Sequence, residues 1–165
     1  VWERMMGLFS WLFGSSASGQ RALRTGRFGA DRHMPRGEWV QTTTVVAVVG
    51  IQYRRSEVTK FCRAVQAAER SRKVHYGVQL RPEPTNPDDS NAIAVDGVVE
   101  KKRWHLGYLD RETAGEINRD LISKGVQVAA ELYNLWVGDD GYADIKIIIL
   151  APPGYGMKAR LKAGP

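Results

Sequence analysis

The chain has 165 residues, 43% of them hydrophobic, which is room for one domain with a packed core plus tails and too little for two full domains. A single cysteine, Cys62, excludes an intramolecular disulfide, and three scattered histidines leave no ordinary zinc cluster. The net charge of +6 sits in the flanks, because residues 41–151 carry 15 basic and 15 acidic side chains; a nucleic-acid site there must be a local patch.

Residues 1–40 show no sustained hydrophobic period, and their Gly, Ser and Arg content predicts a basic flexible N-terminal arm. Within it lies an apolar patch at residues 8–13, with Leu8, Phe9, Trp11, Leu12 and Phe13, a candidate contact for a protein partner or a membrane surface. The patch is far short of the roughly 20 residues of a membrane span, so no transmembrane segment is expected. It also lacks the features of a secretory signal, and the expected setting is cytoplasmic.

A folded domain is expected over residues 41–151, followed by a basic tail at 152–165. The β-branched run Thr43, Thr44, Val45, Val46, Val48, Val49, Ile51 predicts a strand over residues 42–54. Ser56 is the candidate N-cap of a helix whose Val58, Phe61, Cys62 and Val65 recur at i, i+3, i+4 and i+7, a stripe for the core. On its other side Lys60, Arg63 and Arg70 share a face, flanked by Arg54, Arg55, Arg72 and Lys73. That basic patch reads equally as a solvated helix face or as a track for phosphates.

Residues 74–80 alternate as a half-buried strand and lead into R-P-E-P-T-N-P-D-D-S-N-A-I-A-V at 81–95. Pro82, Pro84 and Pro87 with Asn86, Asp88, Asp89 and Ser90 define an ordered loop, and Ala92, Ile93, Ala94 and Val95 a buried strand behind it. Asp96-Gly97 predicts a turn, residues 104–109 a strand, and Asp110 the cap of a second helix running to about Lys124 with Gly125 as its stop. Residues 126–137 and 142–150 predict two more strands. The order β-α-β-β-β-α-β-β, mainly β with two helices, predicts a small six-stranded antiparallel barrel of the oligonucleotide-binding (OB-like) type.

No nucleophile motif, phosphate loop or dinucleotide fingerprint occurs, and no cofactor is expected. Glu83, Asp88 and Asp89 are an acidic set of the kind that holds Mg²⁺ in nucleases, the less favoured chemical reading. Tyr53, Tyr76, Trp104 and Tyr108 are aromatics able to stack on bases where exposed.

Three stretches, V-V-G-I-Q-Y-R at 48–54, L-R-P-E-P-T-N-P-D-D-S-N-A-I-A-V at 80–95 and L-G-Y-L-D-R-E-T-A-G-E-I at 106–117, together resemble the HIRAN domain. The likeness spans about residues 44–151. It implies a barrel related to the OB fold and a stand-alone, non-catalytic module that binds single-stranded DNA at 3′ ends, with a role at DNA ends such as repair. The family's site maps onto Gln52, Tyr53, Arg54, Asn86, Asp88, Asp89, Tyr108 and Arg111, with Arg55, Lys60, Arg63, Arg70, Arg72 and Lys73 as a supporting basic patch. Asp89 would accept from a terminal 3′-hydroxyl, Asn86 would bond the terminal nucleotide, Tyr53 would wall a base and Arg111 would meet a phosphate. The alternatives are a protein-interaction module of the same fold that has lost DNA binding, and a metal-dependent nuclease.

Overall fold

A computed structural model describes residues 35–72 and 74–163, together with Leu23, Gly26 and Arg27. The apolar patch at residues 8–13 and Lys73 lie outside the described residues.

A two-residue strand β1 (Gly26–Arg27) precedes β2 (Val40–Ala47), helix α1 (Arg55–Ser71), β3 (Tyr76–Pro82), β4 (Ile93–Val99) and β5 (Lys102–Tyr108). Helix α2 (Arg111–Asp120), β6 (Ala129–Val137), β7 (Ala143–Ala151) and α3 (Met157–Ala163) complete the chain. The strands form two antiparallel sheets, ordered β1-β6-β7-β2 and β3-β4-β5. No closed barrel forms among the described residues, which corrects the expected architecture. The sheets pack against each other through β3 and β6 and are joined by backbone hydrogen bonds where Val48 N–H donates to the Ile145 carbonyl at 2.9 Å and the next residue, Val49, exchanges two 2.9 Å bonds with Tyr108. Gly107 permits that crossing, since a Cβ there would collide with the Val49 carbonyl oxygen.

The core lies between the sheets and α1. The buried stripe of α1 is Val58, Phe61, Cys62, Val65 and Ala68, packed with Val95, Leu106 and Ile145 among others. Burial pushes the Cys62 thiol up to about 12, so it remains a protonated core group at neutral pH.

Several expected boundaries move. The first strand stops at Ala47, and Ile51–Tyr53 form a 3-10 turn rather than strand. Arg54, not Ser56, stands at the N-cap of α1. Asp96-Gly97 is no turn: both residues lie inside β4, and the turn falls at Glu100 and Lys101. Gly97 is required because a Cβ there would come 2.5 Å from the Phe61 ring, so its lack of a side chain serves packing rather than chain reversal. Helix α2 ends at Asp120, with a separate 3-10 turn at Ile122–Lys124.

A third helix, α3, replaces the expectation of two. Its Arg160 is nearly buried, donating to Asp120 at 2.9 Å, Glu116 at 3.3 Å and the Thr42 carbonyl at 3.2 Å. This arginine fastens the segment after Pro153 to α2 and β2.

Candidate nucleic-acid interface

The loop between β3 and β4 is organised by its own polar side chains. The Asn86 side-chain oxygen accepts from the backbone N–H of Asp88 at 3.0 Å and Asp89 at 3.3 Å, and its amide donates to Glu83 Oε2 at 2.9 Å. Asp89 Oδ1 accepts from the Asn91 N–H at 2.9 Å, and Glu83 N–H closes the loop onto the Ala92 carbonyl at 2.8 Å. Asn118 of α2 donates to the Asn91 carbonyl at 2.7 Å, so the loop is fixed at both its base and its side. These are the short-range bonds that Asn and Asp make in turns, which is why the segment holds one shape without regular structure.

Against this loop an open cleft of about 400 Å³ is lined by Arg54, Asn86, Asp88, Asp89, Ala92, Tyr108, Leu109 and Arg111. Its residues come from the 3-10 turn, the loop, the end of β5 and the start of α2. Arg54 lies over the Tyr108 ring with its guanidinium carbon 5.6 Å from the ring centre, within cation–π range. Arg111 is 81% exposed at the side chain, with its Nε 3.5 Å from Asp89 Oδ2. At the N-cap of α2, Asp110 accepts from the Thr113 N–H at 3.0 Å. Partial burial opposes ionisation of that carboxyl, but the amides of Thr113 and its neighbours outweigh it and hold the group below its ordinary value.

Beneath the cleft runs a closed circuit of polar contacts. Tyr108 O–H donates to Glu83 Oε2 at 3.2 Å, and Arg81 donates to both Glu83 and Asp96. Asp96, buried in β4, also meets His105 Nδ1 at 3.2 Å, and the His105 ring abuts Tyr108 edge-on at 4.9 Å. The register explains this convergence, since Asp96 sits directly opposite His105 on β5 and Gln79 on β3, which places Arg81 on the diagonal. The Asn86 amide, with Arg81 and Tyr108, holds the Glu83 carboxyl below its usual value. Burial, with the charge of Arg54, lowers the His105 imidazole, against the pull of Asp96. The floor of the cleft is thus a neutral imidazole beside the Glu83 and Asp96 side chains, each of these already engaged by a cation or an amide.

The structure brings together six of the eight site residues expected from sequence: Arg54, Asn86, Asp88, Asp89, Tyr108 and Arg111. Gln52 and Tyr53 do not line the cleft; they sit on the neighbouring 3-10 turn, with Tyr53 86% exposed. Arg55, Lys60, Arg63, Arg70 and Arg72 are exposed on α1 or at its end. Sequence reasoning missed Arg81, Asp96 and His105, and it read Glu83 only as a possible metal ligand. The available signal was charge inside strands: Asp96 follows the apolar run at residues 92–95, and Arg81 follows Leu80 at the end of an alternating strand.

The nuclease reading fits this geometry poorly. Glu83 is held by Arg81, Asn86 and Tyr108, and Asp89 by Asn91 and Arg111, while Asp88 is exposed at the rim. Among the described residues no group of three His, Cys, Asp or Glu side chains is placed to hold a metal ion.

Two small antiparallel sheets presenting an ordered polar loop beside a cleft walled by two arginines and two aspartates define a compact binding module. The HIRAN domain model matches residues 41–143, and the chain belongs to the HIRAN domain family, a family of nucleic-acid-binding modules. Among solved structures, a protein from Lactobacillus plantarum is 23% identical, with 68% of this chain and 94% of that one covered and a TM-score of 0.44. The HIRAN domain of human HLTF is 18% identical, with 78% of this chain and 94% of that one covered and a TM-score of 0.43. No curated protein matches the chain. Among the described residues, no helix is long and apolar enough to cross a membrane.

Proposed function

We propose that this HIRAN domain binds single-stranded DNA at a free 3′ end and does no chemistry on it. The observation that carries the reading is the cleft itself, where an exposed arginine, Arg111, shares a wall with a carboxylate, Asp89, 3.5 Å away. A terminal nucleotide with a free hydroxyl offers one donor and one nearby phosphate, matching an acceptor beside a cation. A terminal phosphate would instead bring anionic oxygens against Glu83, Asp88 and Asp89. Arg54, held on the Tyr108 ring, supplies a second cation and a flat surface for a base. Asn86 acts in this scheme by shaping the loop rather than by bonding the nucleotide, since its side chain is engaged with Glu83 and the backbone of Asp88 and Asp89.

The test is fluorescence anisotropy with a short labelled single strand, free at its 3′-hydroxyl or phosphorylated there, across a salt series. Tighter binding of the free hydroxyl, lost in Asp89→Asn, is the expected result. Equal affinity for the two ends would reject end recognition.

A further inference from the structure

We propose that the exposed face of α1 is a phosphate track for the single strand leaving the cleft, running from the helix N-terminus toward its C-terminus. The inference rests on the cleft reading above and extends it along 17 residues of helix. From Arg54 to Arg72 the described residues include Arg54, Arg55, Lys60, Arg63, Arg70 and Arg72 against only Glu57 and Glu69. Both carboxylates are engaged, Glu57 with Lys60 at 2.8 Å and Glu69 with the Tyr76 hydroxyl at 3.0 Å. Among the described residues, none of Arg55, Arg63, Arg70 and Arg72 has a carboxylate partner. By contrast, Arg81, Arg103, Arg111, Arg119 and Arg160 each meet Asp or Glu. At 3.6 residues per turn, Arg55, Arg63 and Arg70 fall within an arc of about 80°, spaced roughly 12 and 10 Å along the axis. They form a line that starts beside Arg54, the residue at the cleft.

The ends of α1 point the same way. Arg54 occupies the N-cap without a side-chain cap bond, and Arg55 follows, where the helix dipole disfavours cations. Arg72 occupies the C-cap with φ 55, the left-handed region that favours glycine. Each arginine stands where helix stability alone prefers another residue, a pattern expected where function sets the side chain. A membrane surface would meet the same charge, but the face shows no exposed large apolar side chain to enter a bilayer, because the apolar stripe is buried in the core.

The experiment uses the full chain and labelled single strands of roughly 4 to 16 nucleotides, the range of site sizes for small OB folds, each with a free 3′-hydroxyl. Affinity is expected to rise with length in the parent protein. The variant Arg55→Gln/Arg63→Gln/Arg70→Gln should lose that rise, and its log–log salt slope should become shallower by about 2, from three phosphates at about 0.7 each. Its preference for the hydroxyl end should remain. Unchanged length dependence and salt slope in this variant would overturn the track while leaving the cleft reading intact. Length dependence without any end preference in the parent would instead overturn the cleft reading. Binding to phosphatidylserine vesicles that the variant loses, with no strand binding by the parent, would assign the face to lipid and overturn both. A matching far-UV circular dichroism spectrum and melting temperature confirm that the variant is folded.

Discussion

Helices α1 and α2 both begin at the cleft, with Arg54 and Arg111 on its walls, yet they are held by different means. In α2 local chemistry agrees with the structure: Asp110 caps it through the Thr113 N–H, Glu112 lies in its first turn and Arg119 in its last. In α1 both caps are poor, although Glu57 lies in its first turn and Arg70 in its last, and the helix is held by its buried stripe, with Phe61 tilted against Trp104 at 6.1 Å. The difference teaches that tertiary packing can hold a helix whose caps are poor, leaving its ends free to carry side chains chosen for binding.

The strongest way to break this comparison is to remove the stripe. Phe61→Ala should destabilise the domain by about 3–5 kcal/mol in urea unfolding, the usual range for a buried aromatic. A loss below about 1 kcal/mol would mean that α1 is held by something other than its core face. Asp110→Ala should cost about 1 kcal/mol by the same measurement, because a single cap bond to α2 is lost while its core residues stay. Arg72→Gly sharpens the contrast from the other side. It should raise stability by about 0.5 kcal/mol, the relief of a left-handed arginine less the added freedom of glycine in the unfolded chain. A matching loss of long-strand affinity would separate the stability role of that position from its binding role.

The smallest effect lies at the floor of the cleft and depends on pH. His105 has its folded value lowered by burial and by Arg54, so the unfolded chain takes up a proton that the folded ring refuses. The His105 contribution to stability should therefore be flat above neutrality and fall as pH drops through about 6.5, the ordinary histidine value. Glu83, lowered by Asn86, Arg81 and Tyr108, contributes stability that is present above about 4.5 and lost as pH falls through its depressed folded value. Thermal midpoints across pH should show two steps, with the first absent in His105→Gln. A single step unaffected by that change would show that the ring is not neutral in the fold.

Much of the site was legible in the chain because its loop is a local object. The Asn86 and Asp89 side chains accept from backbone N–H groups within three residues, and the Pro and Asn pattern of residues 81–95 signals that directly. The core stripe of α1 and the Asp110 cap were equally plain. Asp96-Gly97 misled for a physical reason: the dipeptide that favours a turn is also what a strand needs when a carboxylate must face Arg81 and His105 and a ring must lie on the backbone. The expected barrel failed because strand count and order do not reveal whether sheet edges hydrogen-bond, and among the described residues the isolated bridge is the pair Val49 and Tyr108.

Charge distribution, the Asp110 cap, the ordered loop and the family pattern follow from residues close together in the chain, where short-range hydrogen bonds and periodicity act. The placement of Arg54 on Tyr108, the meeting of Arg81, Asp96 and His105, and the docking of Arg160 on Glu116 and Asp120 join residues up to 54 positions apart. Such contacts depend on which strands pair, in which register, and on what the core leaves uncovered, and these are settled only when the whole chain packs.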